Sequence, residues 1–158
     1  MSALSLPDPS PVPSAVAPAR ILAFPGSDCP TVRHAAPQLT DAERDELNRL
    51  RWFALRSRLA PKPDLERACF LLAGEENVSL ERYAIAFFRG LSGQSLREMV
   101  FYRPGARQAS DDEIWLLRLL SVLRAGEAAA AGALVAWRVR PEGRRWLRFL
   151  AASLARTL

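Results

Sequence analysis

Residues 110–126 constrain the fold more than any other stretch, because their pattern predicts one helix that is apolar on nearly every side. Ser110 is a natural N-cap, Glu113 three residues later completes a capping box, and Gly126 suits a left-handed C-cap. Only one narrow stripe interrupts the apolar residues between these ends: Arg118, Ser121 and Arg124. A helix of this composition is surrounded by other helices in a globular protein. We therefore predict that the rest of the chain is organised around it.

Other segments show capping residues and the apolar period of 3.6 residues that is typical of helices. They lie at about residues 40–59, 63–74, 79–91, 95–100, 127–139 and 141–158. The segment from Ser95 is short and is predicted from its capping box with Glu98. No segment alternates convincingly with a period of two, so we expect no sheet. The predicted fold class is all-α, a single compact bundle of six to seven short helices at residues 40–158.

A Pro- and Ala-rich tail precedes this predicted bundle. Residues 1–39 hold eight of the 12 prolines, and their charges cancel, so the net charge of +5 belongs to residues 40–158. Such a composition offers too little apolar surface to offset the entropy of ordering, which predicts a disordered tail. One apolar island in it is a candidate recognition segment, formed by Ile21, Leu22 and Phe24. The alternative interpretation is that these residues form an incidental hydrophobic patch without a partner.

The basic residues indicate what kind of partner to expect. The net charge is +5 and Lys62 is the single lysine, so the positive charge is carried almost entirely by arginine. Arginine favours bidentate contacts with carboxylates and phosphates, although GC-rich coding produces the same bias. The predicted partner is therefore another protein, for which an acidic surface would match the charge, with nucleic acid as the alternative. The sequence makes no prediction of the oligomeric state.

Cysteine usage and hydropathy indicate a compartment. The two cysteines, Cys29 and Cys69, do not form a disulfide framework, and the N-terminus lacks the pattern of a secretory signal. The longest charge-free apolar run, at 128–137, is too short to span a bilayer. These features predict a cytoplasmic protein of bacterial type with no membrane partner, in which Cys69 is buried and inert.

No motif for catalysis is recognisable. The single histidine, His34, falls in the predicted tail, and the chain has no Gly-rich phosphate loop, metal-ligand spacing or nucleophile elbow. Acidic pairs such as 75–76 and 111–112 are better explained as turn and cap residues. We therefore expect no enzyme, no cofactor and no metal.

The densest charge feature is an arginine cluster with interleaved tryptophans. Its residues are the candidates for binding an anionic partner: Arg138, Arg140, Arg144, Arg145 and Arg148, with Trp137 and Trp146. Arginines contact phosphates or carboxylates, and the indole rings can stack on bases or pack on a protein partner. The alternative is a solvated corner between two helices, where the arginine stems cover apolar surface.

A helix-turn-helix at residues 82–100 is the specific alternative to a protein-binding role. Small, turn and core positions match that motif at Ala86, Gly90, Leu96 and Met99, and its candidate DNA-reading residues would be Gln94, Ser95 and Arg97. Arg89 argues against it, because such motifs bury an apolar residue there. The predicted function is a non-catalytic regulatory or adaptor protein acting through helix-surface contacts, with a small DNA-binding regulator as the alternative.

Overall fold

The computed structural model describes residues 38–59, 64–75 and 78–158, and its helices form a bundle. The helices in this part of the chain are α1 (Asp41–Ser57), α2 (Leu65–Gly74), α3 (Leu80–Gln94), α4 (Asp111–Arg124), α5 (Ala128–Arg138) and α6 (Arg144–Thr157), with a short 3-10 helix at Pro141–Gly143 before α6. These residues contain no strand, and their one β-bridge joins Ser95 to Val139. The prediction of an all-α bundle of six to seven short helices is confirmed. The predicted tail, with its island at Ile21, Leu22 and Phe24, lies outside the described residues up to residue 37.

The first helix and the fourth begin where their capping boxes predict. The Glu113 N–H donates to the Ser110 hydroxyl over 3.1 Å, and the Ser110 N–H donates to the Glu113 carboxylate over 2.9 Å. Thr40 and Glu43 form the same reciprocal pair at the start of α1. These hydrogen bonds to the carboxylate hold the pKa of Glu43 below its usual value. Each box satisfies backbone N–H groups that the helix itself leaves without partners.

The short helix predicted from Ser95 is wrong. Residues 95–100 form a bend followed by irregular backbone, and α3 continues instead to Gln94. The Leu96 N–H donates to the Arg138 carbonyl over 2.9 Å, and the Arg140 N–H donates to the Gln94 carbonyl over 2.8 Å. Because these backbone groups bond to the segment after α5, the chain here follows tertiary partners rather than a local helix.

The helix with the widest contacts is α6. It packs against α2, α3, α4 and α5, whereas α4 packs against α1, α5 and α6. Leu147, Leu150 and Leu154 are fully buried along its inner face. In α4 the stripe of Arg118, Ser121 and Arg124 faces solvent, as the sequence predicts, and its other faces are buried or half-buried. The predicted organising role of α4 is therefore shared with α6, whose apolar stripe is narrower but meets more helices.

None of the helices in the described part of the chain combines the length and the apolar character needed to cross a membrane.

Candidate functional site

Two buried carboxylates at the start of α4 fix the long connection between α3 and α4. Glu113 is fully buried and accepts hydrogen bonds from the Arg51 Nε (2.7 Å) and Nη2 (2.9 Å). The same Arg51 donates to the carbonyl oxygens of Ala106 (2.8 Å) and Gln108 (2.7 Å), and the Tyr102 N–H donates to Glu113 over 2.7 Å. Arg51 thus joins α1, α4 and the connection in one network.

The neighbouring carboxylate fixes the earlier part of the connection. Asp112 is buried and accepts from the Val100 N–H over 2.9 Å and from the Arg97 Nη2 over 2.8 Å. The Arg138 Nη2 lies 3.3 Å from the same carboxylate. Sequence reasoning assigned Asp112 to the helix dipole alone and missed this role. All of these contacts join α4 to residues outside that helix. The two carboxylates therefore fix the conformation of the connection.

The first candidate surface is an exposed apolar face of α1, which we call the α1 face. It consists of Trp52, Leu55 and Leu59, the last in the turn after the helix. Trp52 is 57% exposed and Leu59 is 87% exposed. These residues lie about a third of a turn from the buried stripe of α1, so the bundle leaves them uncovered. Sequence reasoning did not select them, although large apolar residues beside a complete core stripe are the pattern that indicates such a face.

Arginines surround the α1 face. Arg49 and Arg58 are exposed on the same helix and in its cap, and Arg56 forms an ion pair with Glu81 at 2.7 Å. The acidic residues of α1 instead gather in its first half. The second half of the helix therefore presents apolar side chains within a basic surround.

A cavity of about 610 Å³ lies beside this helix, between the C-terminal ends of α1 and α3 and the connection that follows α3. Three arginines line it, Arg58, Arg97 and Arg140, and among the described residues one carboxylate lines it, Glu98. Its apolar lining consists of Ala54, Phe88, Leu91, Leu96, Met99 and Phe101. We call this space the arginine cavity.

The predicted arginine cluster does not form one continuous surface. Arg138 is buried and paired with Asp112, so its guanidinium is unavailable to a partner. Arg144 donates from Nε to the Val139 carbonyl over 3.0 Å and from Nη2 to the Ala136 carbonyl over 3.2 Å. These bonds satisfy carbonyl groups at the C-terminal end of α5, which is an ordinary structural role for an arginine.

The other three arginines of the cluster are exposed but diverge. Arg140 lines the arginine cavity. Arg145 lies over the ring of Trp146, 5.1 Å from its centroid, and an Arg148 guanidinium nitrogen runs close to Gly132 of α5. A partner at any one surface would therefore meet only part of the predicted cluster.

The two tryptophans of the cluster also have different surroundings. Trp137 is 63% exposed, and the Arg138 guanidinium lies 4.1 Å from its ring centroid. Trp146 is half-buried and packs against Phe70 of α2, with 5.7 Å between ring centroids. Of these two tryptophans, only Trp137 offers an exposed aromatic ring to a partner.

The candidate DNA-reading residues Gln94, Ser95 and Arg97 do not lie on a recognition helix. Gln94 is the last residue of α3, and the backbone of Ser95 pairs with Val139. Arg97 is tied to Asp112. The helix that would enter a DNA groove is therefore not formed here, and a DNA-binding function stays a prediction without this motif.

Reactive groups contribute little to these surfaces. Cys69 is buried on the inner face of α2, and burial raises the pKa of its thiol to about 11, which disfavours the nucleophilic thiolate. Within residues 38–59, 64–75 and 78–158, no group of three or more histidine, cysteine or acidic side chains is arranged to hold a metal ion. His34 and Cys29 lie outside the described residues.

Comparison of the chain with models of protein families, with curated proteins and with solved structures finds no match in any of the three.

Proposed function

We propose that this protein is a non-catalytic regulatory or adaptor protein that binds an acidic segment of another protein along the α1 face. The observation that carries this proposal is the exposure of Trp52 and Leu55 on one side of α1 and of Leu59 in the turn that follows it. Water contact with large apolar side chains is unfavourable, and contiguous groups of them mark interaction sites. Tryptophan in particular supplies much of the binding free energy in protein interfaces.

The charges around the α1 face determine the class of partner. Arg49 and Arg58 are exposed beside it, whereas the charge of Arg56 is paired with Glu81, so a partner segment with carboxylates beside its apolar residues would be complementary to Arg49 and Arg58. An amphipathic acidic helix fits this description, because residues three and four apart would meet the apolar side chains while its acidic flanks meet the arginines. The exposed arginines of the predicted cluster, Arg140, Arg145 and Arg148, could add long-range attraction to the same partner.

A cytoplasmic location in a bacterial type of cell belongs to the same proposal. It rests on Cys69, which is a free and buried thiol in the described part of the chain. A free buried thiol is compatible with a reducing compartment.

The test compares two variants of the full chain. Proteins that co-purify with the wild type from native cells would be identified, and the affinity of each purified candidate would be measured directly. The double variant Trp52→Ser/Leu55→Ser should bind the true partner at least tenfold more weakly, with an unchanged helical circular dichroism spectrum. Trp137→Ser is the matched control, because Trp137 is similarly exposed on a different helix. It should change the affinity by less than about twofold.

Three results would contradict the proposal. Equal binding by wild type and the double variant would remove the α1 face from the interface. A loss caused by Trp137→Ser alone would move the interface to α5. Tight binding to mixed-sequence duplex DNA, falling steeply between two salt concentrations, would favour the alternative of a DNA-binding regulator, since phosphate contacts release counterions.

A further inference from the structure

We propose that the arginine cavity binds a small amphiphilic anion, in which a phosphate or carboxylate group is carried on an apolar body. This goes beyond the proposed protein-binding function, because the ligand class is different and the cavity shares only Arg58 with the surroundings of the α1 face. The shared requirement is an anionic group held by Arg58, Arg97 and Arg140, with the apolar body against the adjoining side chains of the cavity.

The charge of the lining is the first reason. Neither Arg58 nor Arg140 forms an ion pair with any residue that the structure describes, and Arg97 shares Asp112 with Arg138. Glu98 is the one carboxylate that the described residues contribute to the lining. Of the three arginines in the lining, Arg58 and Arg140 are therefore without an ion-pair partner among the described residues, and Arg97 has only a share of Asp112. Like charges gathered in this way repel one another, and a bound anion would relieve the repulsion.

The helix ends at the cavity do not cancel this charge. The C-terminal ends of α1 and α3 both border the cavity, and each carries about half an elementary negative charge. Together they amount to about one negative charge, against a net excess of two positive charges in the lining. Arg58 alone could serve as the cation that complements the end of α1. Arg97 and Arg140 come from other segments and are not explained by that role.

The three arginines come from separate parts of the chain, and the fold fixes the position of each part. The Arg140 backbone N–H is bonded to the Gln94 carbonyl, and the Arg97 guanidinium is bonded to Asp112. Arg58 is the C-cap residue of α1. Binding therefore costs little ordering of the backbone, which favours affinity for a small ligand.

The rest of the lining suits an apolar body. Leu96 is more than half exposed at the cavity, and Met99 and Phe101 are half-buried beside it. The volume of about 610 Å³ falls within the range of about 300–1,000 Å³ that is typical of small-molecule sites. Guanidinium groups give bidentate contacts to both phosphate and carboxylate, so both headgroups fit the lining.

The test titrates the full-length protein with phenyl phosphate, benzoate and phenol in a buffer free of phosphate, and follows amide chemical shifts. Phenyl phosphate or benzoate should cause saturable shifts at residues 92–99, Arg58 and Arg140, with a dissociation constant of about 1 mM or lower. The tighter of the two anions identifies the headgroup. Phenol has the same ring without the charge and should bind at least tenfold more weakly.

Two double variants separate a site from general electrostatics. Arg58→Ala/Arg140→Ala should weaken anion binding at least tenfold. Arg49→Ala/Arg118→Ala removes the same charge from two exposed arginines outside the cavity lining and should leave binding within about twofold. Circular dichroism melting verifies that both variants are folded. The variant Trp52→Ser/Leu55→Ser should retain anion binding, so this proposal and the proposed protein-binding function can fail separately.

Each contrary result would overturn the cavity proposal. If neither anion causes saturable shifts at about 10 mM, which is tenfold above the expected dissociation constant, the cavity binds neither headgroup. Equal losses in the two double variants would reduce the effect to net charge. Phenol binding as tightly as the anions would leave the arginines without a role.

Discussion

Arg51 is the largest fully buried side chain in the described part of the chain, and its charge is completely paired. It lies on the core stripe of α1 beside Leu47 and Leu50, where the apolar period calls for a leucine. Its Nε and Nη2 donate to the Glu113 carboxylate, Nη2 also donates to the Gln108 carbonyl, and Nη1 donates to the Ala106 carbonyl. A buried ion pair contributes little net stability over an apolar pair, but the loss of one partner leaves an uncompensated charge. We therefore expect Arg51 to fix the relative position of α1 and α4 rather than to add net stability to their packing.

Arg51→Ala should lower the free energy of unfolding by about 3–5 kcal/mol, because Glu113 would remain buried without its cation. The double variant Arg51→Leu/Glu113→Leu should recover a large part of that loss, since no charge is left unpaired. Urea denaturation of both variants measures the difference. Arg49→Ala is the control, because Arg49 lies two residues earlier on the exposed side of α1. It should change the free energy of unfolding by less than about 0.5 kcal/mol. A loss for Arg51→Ala as small as that of the control would mean that the pair is not buried in solution.

Single residues also show where sequence reasoning about the site reached its limit. The pattern selected arginines that are neighbours in the chain, yet Arg138 and Arg144 make internal contacts and the others point to different surfaces. The arginines that do share a cavity, Arg58, Arg97 and Arg140, are far apart in the sequence. Local spacing determines which residues share a helix face, but residues on different helices are brought together only by the packing of those helices.

At the scale of elements, helices were predictable and the long connection was not. Helix starts at Thr40 and Ser110 follow from hydrogen bonds within four residues, which a sequence displays directly. The segment after Gln94 also has a capping pattern, but its backbone bonds to Arg138, the last residue of α5, and to Asp112. Propensity is a weak preference that tertiary hydrogen bonds override. The shape of the arginine cavity depends on that override.

Asp112→Asn should loosen the connection without unfolding the helices. It removes the charge that Val100, Arg97 and the buried Arg138 contact, and each charge-assisted bond typically contributes about 1.5–3 kcal/mol. The Val100 amide should therefore exchange with solvent about 10–100-fold faster in hydrogen-exchange experiments. Asp111→Asn is a closely matched control, because Asp111 is the exposed neighbour in the same first turn. Equal acceleration in both variants would assign the effect to the helix dipole rather than to the contacts of Asp112.

On the scale of the whole molecule, α6 is the helix that packs against both the pair α2 and α3 and the pair α4 and α5. The helix α1 adds a second link, because it packs against α3 and α4. A single apolar face of α6 therefore links both groups, and Leu150 lies fully buried within it. Shared burial of this kind favours cooperative unfolding, because both groups lose buried contacts when α6 leaves. The integrity of the arginine cavity and of the α1 face would then depend on core residues such as Leu150, which line neither.

Leu150→Ala tests that cooperativity. The substitution should lower the free energy of unfolding by about 2–5 kcal/mol, through lost burial and the remaining cavity. Because α6 joins both groups, hydrogen exchange at the buried Cys69 amide of α2 and the buried Ala131 amide of α5 should accelerate by similar factors. Leu71→Ala, at an exposed position of α2, should leave both amides nearly unchanged. Acceleration confined to one of the two amides would divide the bundle into separately unfolding halves, and would limit the influence of α6 to the half that responds.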